Sequence, residues 1–307
     1  MAKTFYVSRI SINGNYDIMK DGYTIKEKII METLSNNTTW DCLDRTKKHI
    51  YKFLNITKFK SEQLNDTVIH GILSRSNKSY EIVNEESNTI EEESTNKSIV
   101  HGKYEFFIIL KSGLIFYTPQ KDFNKDSFNN IFLTLFKHNA TDELYEIAIG
   151  TVNRTASILD NLKQLKQVST IEIRLLPSNP NYSDDWREED EDIKRINAKS
   201  ATHIYTSTSG SGLSIGNTLE EVKQTRCGKQ LLMAEDGYGN AVCKGINYQN
   251  KKETLKNNKF QESIPGIPND IDTGAETPKN KFNWVYNAGL NIINRFIGEH
   301  TSNESNT

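Results

Sequence analysis

The sequence predicts an α+β fold: mixed or antiparallel sheets layered with helices, plus a tethered amphipathic helix near the carboxyl end of the 307 residues. Three observations lead there. Segments of period-two hydrophobicity, rich in β-branched and aromatic residues, recur as far as Ile246. Segments of helical period lie between them, which is the pattern of a sheet covered by helices. After Asn247 the pattern lapses into a polar stretch carrying Pro265, Pro268 and Pro278, and it revives only at Phe282.

Phe5–Asn13 alternates and stops at Asn13-Gly14-Asn15, which predicts a strand. Ile25, Ile29, Ile30 and Leu34 form one stripe and predict a helix over 24–34. Strands are expected over 49–60 and 67–75, with Gly71 marking a bulge in the second. Residues 84–98 hold five glutamates and only Ile90 as a large apolar side chain, so an acidic flexible insertion or hairpin tip is expected. Tyr104–Leu110 and Leu114–Tyr117 flank Lys111-Ser112-Gly113, a hairpin whose continuous apolar character places it centrally in a sheet. Phe128, Ile131, Phe132, Leu135 and Phe136 define the clearest amphipathic helix.

Farther on, strands are expected over 145–152, 168–176, 202–207 and 239–246. Helices are expected over 154–166, 184–198 and 219–235. The division that follows is an N-terminal α+β domain over 1–140, a C-terminal α/β domain over 141–248, a disordered linker over 249–280, a helix over 281–299 and a disordered tail over 300–307. A lone amphipathic helix is unstable in water. It needs a groove on its own domain, on another subunit or on a partner, and Trp284, Val285, Ile292, Ile293 and Phe296 are the expected contacts, with a partner or second subunit favoured.

Composition excludes several classes. Thirty-eight basic against 40 acidic residues leave a net charge of −2, so global electrostatics does not mark a nucleic-acid binder. No apolar run approaches the roughly 18 residues of a membrane span, and the N-terminus lacks secretory features, so a cytoplasmic protein is expected. Three separated cysteines make no disulfide scaffold or four-cysteine zinc site. The Asn-x-Ser/Thr triplets at Asn37, Asn55 and Asn153 follow from an Asn-rich composition. The six histidines show no i, i+4 pairing, and neither a metal nor another cofactor is expected.

Local charge is more informative. Arg45, Lys47, Lys48, Lys52, Lys58 and Lys60 interleave with Tyr51, Phe53 and Phe59, with no acidic residue from Arg45 to Lys60, as in a surface that meets phosphates and stacks bases. The competing reading is an edge strand guarded by lysines. Cys42-Leu43-Asp44-Arg45-Thr46 has its arginine three positions after the cysteine, too close for a phosphate cradle. The acidic run from Asp184 to Asp192 reads as dipole-complementing first-turn carboxylates and a solvated face. The rival is a metal-dependent nuclease drawing on Glu172, Asp185 and Glu189. Gly210-Ser211-Gly212-Leu213-Ser214-Ile215-Gly216 stands between a strand and a helix, where phosphate loops belong, but no Lys-Ser/Thr follows it.

The order Thr170–Leu176, Pro177-Ser178-Asn179-Pro180, acidic helix, then Ala234-Glu235-Asp236-Gly237-Tyr238-Gly239-Asn240-Ala241 resembles an uncharacterised bacterial phage-defence-associated family. More distantly it is similar to the Rex-type exclusion protein A of lambdoid phages and to component B of the Kiwa system. The likeness spans Tyr145 to Ile246 and transfers no catalytic residue. It implies an oligomeric antiviral protein that binds DNA, RNA or a phage product. Together these readings lead to the expectation of a non-catalytic binder, with a nuclease or a purely structural assembly module as alternatives.

Overall fold

The computed structural model describes residues 2–14, 18–35, 39–44, 47–84, 89–121, 123–140, 145–154, 157–178, 184–207, 210–257, 261–267 and 277–297. Side chains of 13–14, 18–25, 42–44, 47–48, 78–84, 89–98, 121, 145, 161, 184 and 297 lie outside that description. The first sheet is built from β1 (Lys3–Gly14), β2 (Trp40–Asp44), β3 (Lys47–Ser61), β4 (Asp66–Asn84), β5 (Thr89–Ile109), β6 (Leu114–Lys121), β7 (Tyr145–Thr151) and β12 (Ser263–Ile267). It runs β12-β1-β6-β5-β4-β3-β2, wholly antiparallel, with β7 paired to β1 beyond the end of β12. The second sheet holds β8 (Leu165–Leu175), β9 (Ala201–Thr206), β10 (Gly239–Asn247) and β11 (Lys252–Lys256), ordered β11-β10-β8-β9.

Alternation along β1, β5 and β6 sends large side chains to both faces of the first sheet. On one face Ile10, Phe53, Ile69, Phe106, Ile108 and Ile115 meet α1 (Ile18–Ser35) and α2 (Phe128–Asn139), whose Ile30, Phe132 and Phe136 are buried. Tyr117 stacks on Phe128 with ring centres 3.8 Å apart, and its hydroxyl donates to the Lys125 carbonyl at 2.9 Å. The expected central hairpin and amphipathic helix are therefore both present. Each large apolar side chain buried here contributes roughly 1.5–3 kcal/mol.

On the opposite face Phe5, Val7, Val68, Phe107, Ile109 and Phe116 are covered by α7 (Pro278–Ala288) and α8 (Leu290–Ile297). This corrects the expectation of a helix held out for a partner. Phe282, Val285 and Ile293 are fully buried and Phe296 nearly so, all against the chain's own sheet. Phe282 lies 5.6 Å from Phe107 and 5.9 Å from Phe59, ring centre to ring centre. Ile292 packs partly buried on the same cluster, and Trp284 remains half exposed. The physical reason is that β5 and β6 are apolar on both faces, so the sheet itself supplies the groove that the helix needs. Lys281 fixes the docking by donating to Glu105 Oε1 at 2.6 Å, with His70 Nε2 3.2 Å from the same oxygen and Lys3 Nζ 3.6 Å from Oε2. Burial pushes the Glu105 carboxyl up, but the His70 and Lys281 hydrogen bonds and the lysine charges outweigh it and bring it down to about 2.

Other boundaries move for similar reasons. β7 pairs with β1 over seven residues, so the first sheet extends past the expected division at residue 140. The expected linker over 249–280 contains β11 and β12, each paired to a sheet. β4 and β5 continue as a paired hairpin up to Asn84 and from Thr89, within the expected flexible insertion, while residues 85–88 and 300–307 lie outside the described residues. Gly71 is not itself bulged. The extra residue is on β3, where Asn55 (φ 53°) and Ile56 face it, and a Cβ on Gly71 would stand 2.5 Å from Ile56 Cδ1 and Phe106 Cζ.

Among the described residues the second sheet is covered on one face only. Ile158, Leu159, Ile171, Ile173, Trp186, Val222, Leu231 and Tyr238 form its core with α3 (Ser157–Leu162), α4 (Arg187–Arg195), α5 (Leu219–Lys223) and α6 (Arg226–Met233). The helix expected over 219–235 breaks into α5 and α6 because Thr225 caps a new helix, its hydroxyl accepting from the Gly228 amide at 3.0 Å. The helix expected over 154–166 is cut to α3, since β8 begins at Leu165. No helix among the described residues is long and apolar enough to cross a membrane.

Candidate functional site

A cleft of about 480 Å³ opens at the Leu165 end of the second sheet. Leu159, Leu162 and Lys163 bound it on one side and Leu165–Val168 along another. The glycine-containing loop from Ser211 to Asn217 and Tyr248 complete it. Among the described residues its lining holds two lysines, Lys163 and Lys166, and no carboxylate, with Leu, Val and Ile side chains interspersed with Ser, Asn and Gln.

Each wall is fixed by identifiable contacts. The α3 wall is held by Glu235, which accepts from Ser157 Oγ at 2.6 Å and from the Ile158 amide. Burial drives the Glu235 carboxyl up to about 7, against the pull of those donors and of Arg295. The loop hugs β8 through the Leu213 amide, which donates to the Val168 carbonyl at 2.8 Å. Gly212 (φ 84°) permits that approach, because a Cβ there would stand 2.9 Å from the same carbonyl oxygen. Tyr248 sits in a turn whose geometry is set by Asn247 Oδ1, accepting from the amides of Gln249 and Lys251, each at 3.0 Å. That turn leaves Tyr248 67% exposed at the cleft, and Lys166 Nζ donates to Asn250 Oδ1 at 3.2 Å beside it.

Lysine cations and an exposed aromatic ring together suit a phosphorylated ligand with a planar base. Among the described residues the lining holds no carboxylate, histidine or cysteine. The loop is a wall and not a phosphate cradle of the nucleotide-hydrolase kind. The start of α5 is already satisfied by Thr218 and by Glu221, whose Oε2 accepts from the Asn217 amide at 2.7 Å.

The residues singled out from sequence fall elsewhere. The side chains of Arg45, Lys47 and Lys48 lie outside the described residues. The β3 bulge reverses the alternation and splits the remaining lysines. Lys52 points away from the face of its neighbour Phe53, whereas Lys58 shares the α1 face with its pairing partner Ile69 and donates to Glu27 at 2.9 Å. Lys60 lies on the α1 face as well, opposite Phe59, which packs beside Phe282. The described lysines, Lys52, Lys58 and Lys60, therefore do not share one face.

The acidic helix is not simply a solvated face either. Glu189 and Asp190 are buried. Asp190 accepts from the Ser178 amide and hydroxyl at 2.7 and 2.6 Å and pairs with Lys194 at 2.6 Å, while Glu189 binds Arg226 and Gln230. Asp185 pairs with Lys223 at 3.1 Å, and Glu172 lies on the open face of the sheet. The three carboxylates weighed for a nuclease thus stand on different elements or faces, and two of them, Asp185 and Glu189, are engaged in ion pairs of their own. Among the described residues no group of three or more His, Cys, Asp or Glu is placed to hold a metal ion.

The Glu235-Asp236-Gly237-Tyr238 segment turns out to be a junction. Asp236 accepts from Trp186 Nε1 at 2.8 Å and pairs with Arg295 of α8. Arg9 of β1 lies 4.2 Å from the Tyr238 ring centre and 4.7 Å from that of Phe296. Both sheets and the terminal helices meet here. Sequence reading missed Lys163, Lys166 and Tyr248 because they come from three separate elements, and only the glycine loop between them carried a signal.

No curated protein matches the chain. A family model does match, over residues 3–275, which takes in both sheets and ends before α7. By that match the chain belongs to the family described as a domain of unknown function, DUF4747.

Proposed function

We propose that this protein is a non-catalytic binding protein whose cleft takes a nucleotide unit of single-stranded nucleic acid. The observation that carries this reading is the cleft's charge and lining: two lysines, no carboxylate among the described residues, and the exposed ring of Tyr248. The lysines meet phosphates, and the ring stacks on a base independently of its identity. Binding in aid of antiviral defence belongs to the same proposal and rests on the sequence resemblance over Tyr145–Ile246.

Anisotropy of labelled single-stranded DNA and RNA oligomers tests it. Tyr248→Ala should weaken binding by about 1–3 kcal/mol. Lys163→Ala with Lys166→Ala should weaken it further and reduce the logarithmic salt slope by about 1.4, the value for two phosphate contacts to a single strand. Retention of full affinity by all three substitutions would refute the proposal. Binding of a mononucleotide but no oligomer would reassign the cleft to a small ligand. The same variants in a plaque assay test the defence role, which fails if protection by the wild-type protein survives them unchanged.

A further inference from the structure

We infer that two copies of this chain pair edge to edge through β9, antiparallel, about a two-fold axis at Ile204. β9 is an edge of the second sheet, bonded to β8 on one side, and among the described residues no strand covers its outer side. The other sheet edges carry guards: Pro265 and Gly266 on β12, Glu146 and Gly150 on β7, Asp41 on β2, Lys252 and Lys256 on β11. Ala201–Thr206 has no proline and no Lys, Arg, Asp or Glu. Its outward row is Thr202, Ile204 and Thr206, with Ile204 64% exposed.

The occupant is read from the strand itself. Thr202-His203-Ile204-Tyr205-Thr206 is nearly palindromic. Antiparallel pairing centred on Ile204 sets that residue against its own copy, Thr202 against Thr206, and His203 against Tyr205. These are β-branched, hydroxyl and ring pairs of the kind that stabilise adjacent strands, and an isologous contact of this sort closes as a dimer. Charge does not oppose it. Glu172, beside Ile204 on β8, would lie three strand spacings, about 14 Å, from its copy, beyond a screening length of about 8 Å. Lys199 at the start of the strand is already paired with Glu146 at 3.3 Å.

Sedimentation velocity of the full chain over a concentration series is the test. The expected mass approaches twice 35.1 kDa as concentration rises. Ile204→Lys, at an exposed position, should weaken dimerisation by at least about tenfold with an unchanged melting temperature. Thr206→Lys serves as a second charge variant. On mild oxidation Ile204→Cys should cross-link to a dimer, and Thr202→Cys should cross-link to Thr206→Cys in preference to itself. A wild-type mass that stays at the monomer value throughout overturns the inference. So does a dimer that withstands both lysine substitutions.

Discussion

Phe282→Ala separates a helix that belongs to its own sheet from one held out for a partner. Phe282 is fully buried, and its ring meets Phe59, Phe107 and Tyr286 with centres 5.9, 5.6 and 6.4 Å away. Losing a buried phenylalanine removes the transfer free energy of the ring and leaves a cavity, together about 3–5 kcal/mol. Collapse of the site is limited, because the sheet beneath is rigid and Lys281 holds the preceding position to Glu105. The assay is urea unfolding of the isolated chain, followed by tryptophan fluorescence and by near-ultraviolet circular dichroism. Coincidence of the two transitions is needed for a single free energy to be meaningful. The neighbouring Trp284→Ala, at a half-exposed position, should cost less than about 1 kcal/mol. If Phe282→Ala costs no more than Trp284→Ala, the helix is not a structural part of the isolated chain and the reasoning fails.

The remaining expectations address the junction, the cleft and the sheet edge. The folded Glu235 carboxyl stands near 7 against an ordinary 4.5. A raised carboxyl favours folding fully below 4.5 and loses that contribution as pH rises through 7. Relative to Glu235→Gln, wild-type stability should therefore fall by about 3 kcal/mol between those values, and parallel pH profiles would refute it. Gly150→Ala would place a Cβ 1.9 Å from the Gly237 carbonyl oxygen. It should destabilise by about 3 kcal/mol or more in thermal unfolding, since neither backbone can yield; a melting temperature equal to wild type would contradict that packing. Tyr248→Ala and the double lysine substitution should lower single-strand affinity as set out above. Ile204→Lys should weaken self-association by at least about tenfold, as measured by its mass in solution over a concentration series.

Much of the fold is legible in the sequence because its signals are local. The alternation of Phe5–Asn13 produces β1, the paired runs around Lys111-Ser112-Gly113 produce β5 and β6 at the centre of the sheet, and the Phe128–Phe136 stripe produces α2. What the sequence could not supply was decided by contacts between distant segments. Whether the Phe282 helix stays at home depends on the second apolar face of β5 and β6, which lies some 170 residues earlier in the chain. Whether the β3 lysines form one surface depends on a single extra residue opposite Gly71, which turns Lys58 and Lys52 to opposite sides. The cleft gathers Lys163, Lys166, the Gly212 loop and Tyr248 from elements that have no spacing in common. Periodicity reports which side of a strand or helix is apolar. Only the closed chain decides what that side meets, because the partner is chosen by the burial of both surfaces together.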